Sequence, residues 1–189
     1  GSVYTIEGQN ISMTVDTSKG ITSWKQGGIS VIPDATDAST APAYSNYRWI
    51  ENDAPYGTDP YYSTSNGINN RSFSVSASAD GSTVTITEDA TGSLCNYKFI
   101  YTVNRDGSVD LDASYTVRGT NLRRIGMLME LDPDLSLTQY YARGPLDNTI
   151  DRKQGADLGI YELPVSGFHV DYVRPQTSGD RQDLRWITF

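Results

Sequence analysis

Tyr97-Lys98-Phe99-Ile100-Tyr101-Thr102-Val103-Asn104-Arg105-Asp106-Gly107-Ser108-Val109-Asp110-Leu111-Asp112-Ala113-Ser114-Tyr115-Thr116-Val117 decides the fold class. Tyr97, Phe99, Tyr101 and Val103 alternate with polar neighbours. Asp106-Gly107 then breaks the run, and Val109, Leu111, Ala113, Tyr115 and Val117 resume it. Side chains two apart share one face of a strand, so this alternation predicts two half-buried strands joined by a tight turn.

The same pattern recurs on both sides. Phe73, Val75 and Ala77 alternate before Asp80-Gly81, and Val84 and Ile86 return after it. Ile11, Met13 and Val15 precede Ser18-Lys19-Gly20 and the run from Ile21 to Lys25. Ile125 to Leu131 is more continuously apolar, which predicts burial on both faces. No window sustains a helical period with caps, although one short turn of helix fits Asp59 to Ser65. Successive antiparallel hairpins without helices predict an all-β protein, a large antiparallel β-sandwich forming a single domain over residues 1–189. The stretch 33–70 is different. It is rich in Asp, Ser, Thr, Asn and Tyr without alternation, and is expected to be a long irregular loop of the kind that carries function.

Composition removes several functions. The chain has 189 residues, 37% of them hydrophobic, and a formal charge of -8, which suits a folded domain and opposes a nucleic-acid backbone as partner. No apolar run approaches the roughly 20 residues of a membrane helix. Cys95 and His169 are the only residues of their kinds, so cysteine-based and multi-histidine metal sites are excluded within this sequence. Gly1-Ser2 reads as an expression scar with no leader pattern behind it, and leaves the compartment, cytoplasmic or periplasmic, undetermined. Thirteen tyrosines and three tryptophans suit a carbohydrate partner as well as a core.

Two stretches carry the most specific signal. Tyr140-Tyr141-Ala142-Arg143-Gly144-Pro145-Leu146-Asp147-Asn148-Thr149-Ile150-Asp151-Arg152-Lys153 is the first. The second is Val173-Arg174-Pro175-Gln176-Thr177-Ser178-Gly179-Asp180-Arg181-Gln182-Asp183-Leu184-Arg185-Trp186. They resemble the signatures W-Y-G-R-G-P-x-E-N-Y-x-D-R and P-Q-E-x-G-x-R-x-D-x-R-W of the C-terminal (small-chain) domain of large bacterial β-galactosidases. Arg143, Gly144, Pro145, Asn148, Asp151, Arg152, Pro175, Gln176, Gly179, Arg181, Asp183, Arg185 and Trp186 are in register. Ala142, Asp147, Thr149 and Thr177 depart from the pattern. Asn46 to Asp53, which contains Arg48, Trp49, Glu51, Asn52 and Asp53, is similar to that family's N-F-W-R-A-P-x-D-N-D element. Arg124-Ile125-Gly126 matches the end of its L-P-R-I-G.

The resemblance implies a supersandwich like that of galactose mutarotases, incomplete at its C-terminus because the family domain continues past the Arg-Trp signature. It implies a catalytic barrel elsewhere in the same polypeptide that carries both catalytic carboxylates, a galactoside at an entrance shaped by the loop from Arg48 to Asp53, and oligomer contacts of the parent. No catalytic residue, metal or cofactor is expected within these residues.

The residues also admit readings of their own. Glu51 and Asp53 at i, i+2 spacing lie at a distance permissive for a glycosidase pair, or they hold the loop through side-chain to backbone bonds. Asp147, Asn148, Asp151 and Arg152 suit recognition of sugar hydroxyls, or an Arg–carboxylate network that fixes the Gly-Pro turn. The alternation of Arg181, Asp183 and Arg185 predicts one face of a strand and a charge ladder. His169 invites comparison with a mutarotase general base, but such chemistry needs a second group and no second histidine exists. Asp110-Leu111-Asp112 and Asp132-Pro133-Asp134 do not continue as calcium loops.

The expected function is a non-catalytic C-terminal domain of a β-galactosidase. An autonomous carbohydrate-binding module is the alternative, with Tyr44, Tyr47, Trp49, Tyr56, Tyr61 and Tyr62 as its aromatic platform. A structural sandwich for protein contacts is a further one.

Overall fold

The computed structural model describes residues 1–33, 42–46, 68–118, 124–173 and 178–189. The chain divides into two compact units, residues 1–47 with 60–132, and residues 48–59 with 133–189. The architecture is all-β, built from antiparallel sheets.

In the first unit β1 (Val3–Glu7), β2 (Ile11–Asp16), β3 (Gly20–Gln26) and β4 (Ile29–Ser30) form a sheet in that order. After β5 (Ala43–Ser45) come β6 (Ile68–Ala77), β7 (Thr83–Gly92), β8 (Cys95–Asn104) and β9 (Val109–Val117), again paired in chain order. Each hairpin expected from the alternation is present. Tyr97 stands opposite Tyr115, Phe99 opposite Ala113 and Val103 opposite Val109. The inward residues of both four-stranded sheets share one core, in which Met13, Val15 and Ile21 pack with Ile86, Phe99 and Tyr101. Phe99 lies edge-on to Tyr101 and Tyr115, at centroid distances of 6.5 and 5.8 Å. Two sheets sealing one apolar layer make a sandwich.

The turns share one device. Asp16, Asp80 and Asp106 each accept the backbone N–H and the hydroxyl of the serine two residues on, Ser18, Ser82 and Ser108. Hydrogen bonds from Ser78 and Ser82 bring Asp80 down from the ordinary 3.8 to about 2. Among the described residues the core of this unit also holds a charged group. Glu88 is 1% exposed, and its Oε1 accepts from Arg71 Nε at 2.5 Å and from the Tyr97 hydroxyl at 2.6 Å.

Part of the expected pattern does not hold. Ile125 to Leu131 is not buried on both faces. β10 (Gly126–Leu128) is three residues long and pairs, among the described residues, with β5 alone, so Ile125, Met127 and Leu128 stay exposed. Ala43–Ser45 is a strand inside a stretch that showed no alternation, too short for a period of two to register. The turn of helix considered for Asp59 to Ser65 lies outside the described residues.

The second unit is a three-stranded sheet in the order β12 (Asp157–Pro164), β11 (Leu137–Gly144), β13 (Trp186–Thr188). Thr138, Tyr140 and Ala142 are buried along β11 while Leu137 and Gln139 face outward. The Tyr140 ring packs on Tyr161 at 5.7 Å and on Phe168 at 5.4 Å.

Candidate functional site

The two signature stretches meet in the second unit, where β11 runs into the Gly144–Pro145 turn. The peptide bond there is cis. A Cβ on Gly144 would stand 2.9 Å from the Tyr161 ring, so only glycine lets the strand approach that ring unchanged.

Asn148, 1% exposed, joins the two stretches. Its Nδ2 donates to the carbonyls of Arg143 at 3.0 Å and Leu146 at 2.9 Å, which closes the turn. Its Oδ1 accepts the Gln182 N–H at 2.9 Å, and its own N–H donates to the Asp180 carbonyl at 3.0 Å. The Arg143 N–H in turn donates to the Gln182 carbonyl at 2.9 Å. Every hydrogen-bonding group of the amide is thus engaged by backbone, as a buried amide requires.

Charges complete the junction. Arg143 Nε donates to Asp183 Oδ2 at 2.6 Å, Arg143 Nη1 donates to the Ala156 carbonyl at 2.8 Å, and Lys153 Nζ donates to Asp183 Oδ1 at 3.2 Å. The hydrogen bonds from Arg143 and Lys153 hold the Asp183 carboxyl below the usual range. The Arg181 side chain is only 6% exposed. Its guanidinium lies 4.7 Å from the centroid of the Phe168 ring and 5.7 Å from that of Tyr140, and its Nε donates to the Tyr140 hydroxyl at 3.1 Å. Flat guanidinium on aromatic faces is a geometry lysine cannot supply.

Asp147 sits beneath this layer with a 3% exposed side chain. Its Oδ2 accepts from the Tyr172 hydroxyl and from Arg152 Nη2 at 3.2 Å. Oδ1 is buried without a hydrogen-bond partner and has Arg181 Nη1 at 3.9 Å. The hydrogen bond to Asp147 raises the pKa of the Tyr172 phenol, with burial acting in the same direction. Thr149 donates to Asp151 beside this cluster.

The charge ladder expected of Arg181, Asp183 and Arg185 does not form. Asp183 adopts φ 56 in a turn and the strand starts only at Trp186, so the three residues do not share a face. Arg181 is buried on rings, Asp183 is held by Arg143 and Lys153, and Arg185 is exposed. A left-handed residue ends the extended backbone that alternation presupposes. Tyr44 is buried at 3% and stacks on Tyr97 at 5.5 Å, so it does not serve in an exposed aromatic platform. Arg48, Trp49, Glu51, Asn52 and Asp53 lie outside the described residues, as do Tyr47, Tyr56, Tyr61, Tyr62, Pro175 and Gln176. His169 is largely exposed, and its ring contacts Asp171 Oδ1 at 3.0 Å and Ser178 Oγ at 3.3 Å. Phe168 and Tyr172 belong to the cluster although no sequence pattern marked them, since each is recruited from outside a strand by tertiary contact.

Fold and junction together define an all-β domain whose second unit is organised by an arginine–carboxylate–amide lattice between two loop-bearing motifs. The profile of the family described as the β-galactosidase small chain matches residues 7–189, and the chain belongs to that family. It is 34% identical to a β-galactosidase of Priestia megaterium over 98 residues, 51% of this chain and 10% of that protein. It is 34% identical to one of Halalkalibacterium halodurans over 92 residues, 46% of this chain and 9% of that protein. With one of Actinobacillus pleuropneumoniae the identity is 26% over 98 residues. The matched stretch thus spans about a tenth of the length of these relatives.

Proposed function

We propose that this chain is a non-catalytic supporting domain of a β-galactosidase acting on terminal β-D-galactosides. It packs with a catalytic barrel of the same polypeptide and shapes the substrate entrance through the segment Arg48 to Asp53. The observation that carries this reading is the family match over residues 7–189 within relatives about ten times longer than the matched stretch. The junction adds support. Asp147, Asn148, Asp151 and Arg152, the groups suited to recognise sugar hydroxyls, each have hydrogen-bond partners inside the second unit. In this reading the galactoside is met at the entrance shared with the barrel.

The test is an NMR titration of the chain with galactose and lactose, alongside hydrolysis of a chromogenic β-galactoside. The reading expects no turnover, and amide resonances of residues 48–62 that do not move at high millimolar sugar. Saturable shifts there would replace it with an autonomous sugar-binding module, and turnover by the chain alone would overturn it outright.

A further inference from the structure

One side of the first unit opens as a groove with two different ends. Among the described residues β1 pairs only with β2 and β6 only with β7, so each sheet has a free strand edge. Between these edges lies a cavity of about 360 Å³ lined by Tyr4, Ile6, Val75, Ala77 and Val84. Ile6, Glu7 and Val84 also line a second cavity, of about 580 Å³, where residues 7–9, 80–83 and 104–105 of three turns meet. Both volumes are in the range of small-ligand sites. Tyr4 stands opposite Val15 on the inward row of β1, and Ile6 opposite Met13. Ile6 is only 6% exposed but Tyr4 is 41% exposed, so the apolar end of the groove presents an open aromatic ring.

The cleft at the turns is polar, and its groups are held in place. Asp80 Oδ1 accepts from the Ser78 hydroxyl at 2.7 Å and from Ser82 Oγ and N at 2.8 and 3.1 Å, which leaves Oδ2 for another donor. Glu7 Oε1 accepts from the Ser12 hydroxyl at 2.9 Å and leaves Oε2. Asn104 Nδ2 donates to Ser108 Oγ at 3.0 Å and to Asp110 Oδ2 at 2.9 Å, so its carbonyl oxygen is left as an acceptor. Gln9 and Arg105, both exposed, line the same cleft and supply donors. The Gln9 N–H donates to the Arg105 carbonyl at 3.2 Å and ties their turns together. Ile6 and Val103, the latter 3% exposed, make an apolar floor. Acceptors fixed before a ligand arrives need little further ordering on binding.

We propose that this groove binds a neutral disaccharide, with one pyranose ring in the turn cleft and the other against Tyr4. The site goes beyond the supporting role above and stands without it. Charge selects the ligand. Glu7 and Asp80 oppose an anion and Arg105 opposes a cation, whereas sugar hydroxyls donate and accept and so match both kinds of group. The C–H face of a pyranose suits the Tyr4 ring and the Ile6–Val103 floor. Length agrees, because β1 rises about 10 Å from Tyr4 to Glu7, the reach of two linked rings. A peptide strand laid along β1 would use the backbone edge and leave the carboxylates and guanidinium of the cleft without a role.

NMR titration of the 189-residue chain with lactose and with galactose tests the site. Lactose should give saturable amide shifts at residues 4–9, 80–84 and 103–105, with one dissociation constant at low and high salt, as for an uncharged ligand. Galactose should move the cleft residues 7–9, 80–83 and 104–105 and leave Tyr4 in place. Tyr4→Ala should weaken lactose about fivefold. Arg105→Ala should weaken it about tenfold. Both variants should keep the parent's thermal midpoint, because both side chains are exposed. Unmoved amides at these residues, shifts that salt abolishes, or variants that bind lactose as the parent does would overturn the proposal. So would a fall in either midpoint, or β1 shifts that grow with protein concentration in the absence of sugar, which would assign the groove to a second copy. Movement at residues 48–62 bears on the functional reading alone, since different amides report the two sites.

Discussion

Removing Arg71 from the core of the first unit isolates one buried charge, and the structure sets the size of the effect. Glu88 is 1% exposed and accepts from Arg71 at 2.5 Å and from Tyr97 at 2.6 Å. Burial opposes the charge on Arg71, but the hydrogen bond and charge of Glu88 outweigh it and leave the guanidinium pKa raised. Arg71→Met keeps the stem and leaves a carboxylate with a phenol as its remaining partner of the two. Stranding a buried charge in this way costs about 3–5 kcal/mol. The Arg71 side chain is 30% exposed, so water reaches the vacated position and the lower end applies, about 3 kcal/mol. Glu88→Gln keeps the shape and an acceptor while Arg71 rehydrates, and should cost about 1–2 kcal/mol. The double variant should be less destabilised than the sum by about 1–2 kcal/mol, because the stranded charge is gone. Urea unfolding followed by tyrosine and tryptophan fluorescence reads all three. Arg71→Met should also lower the thermal midpoint by about 6–12 °C for a chain of this size. Strict additivity, or an Arg71→Met variant within about 0.5 kcal/mol of the parent, would refute the argument.

Other expectations follow from the junction and the turns. Asn148→Ala removes three hydrogen bonds from a buried amide and should destabilise the second unit by about 3 kcal/mol, seen as faster amide exchange at Gln182. Gly144→Ala should push the Tyr161 ring from its place and shift the Tyr140 and Tyr161 ring resonances; an unperturbed spectrum would mean that the close approach is not maintained in solution. Stability should also vary with pH at both extremes. Asp80 is depressed from 3.8 to about 2, so its contribution is present above pH 3.8 and is lost as pH falls through 2, and Asp80→Asn should flatten that acid limb. Tyr44 is pushed up from 10.0 to about 12, chiefly by burial, so its contribution is present below pH 10 and is lost as pH rises towards 12; Tyr44→Phe should make the alkaline limb shallower, with buried Tyr97 and Tyr101, raised in the same way, supplying the remainder.

The hairpins were legible in the sequence because a strand with one wet face must alternate, and Asp-Gly supplies the turn. Tyr97 to Val117 shows this, with the paired register running from Cys95 opposite Val117 to Val103 opposite Val109. The family was legible too, because Arg143-Gly144-Pro145 and Arg181 to Trp186 are spelled out along the chain. Neither kind of signal reaches across space. Alternation placed Arg181, Asp183 and Arg185 on one strand face, and only the folded chain shows Asp183 turning left-handed to meet Arg143 and Lys153. The buried pairing of Arg71 with Glu88 joins residues 17 positions apart that no local pattern links. Sequence by itself determined the all-β class, the hairpins about each turn and the β-galactosidase small-chain family, since these rest on local periodicity and contiguous motifs. Tertiary structure alone decided which polar side chains are buried and with whom. Burial and partnership are properties of residues brought together by folding, and the linear order does not contain them.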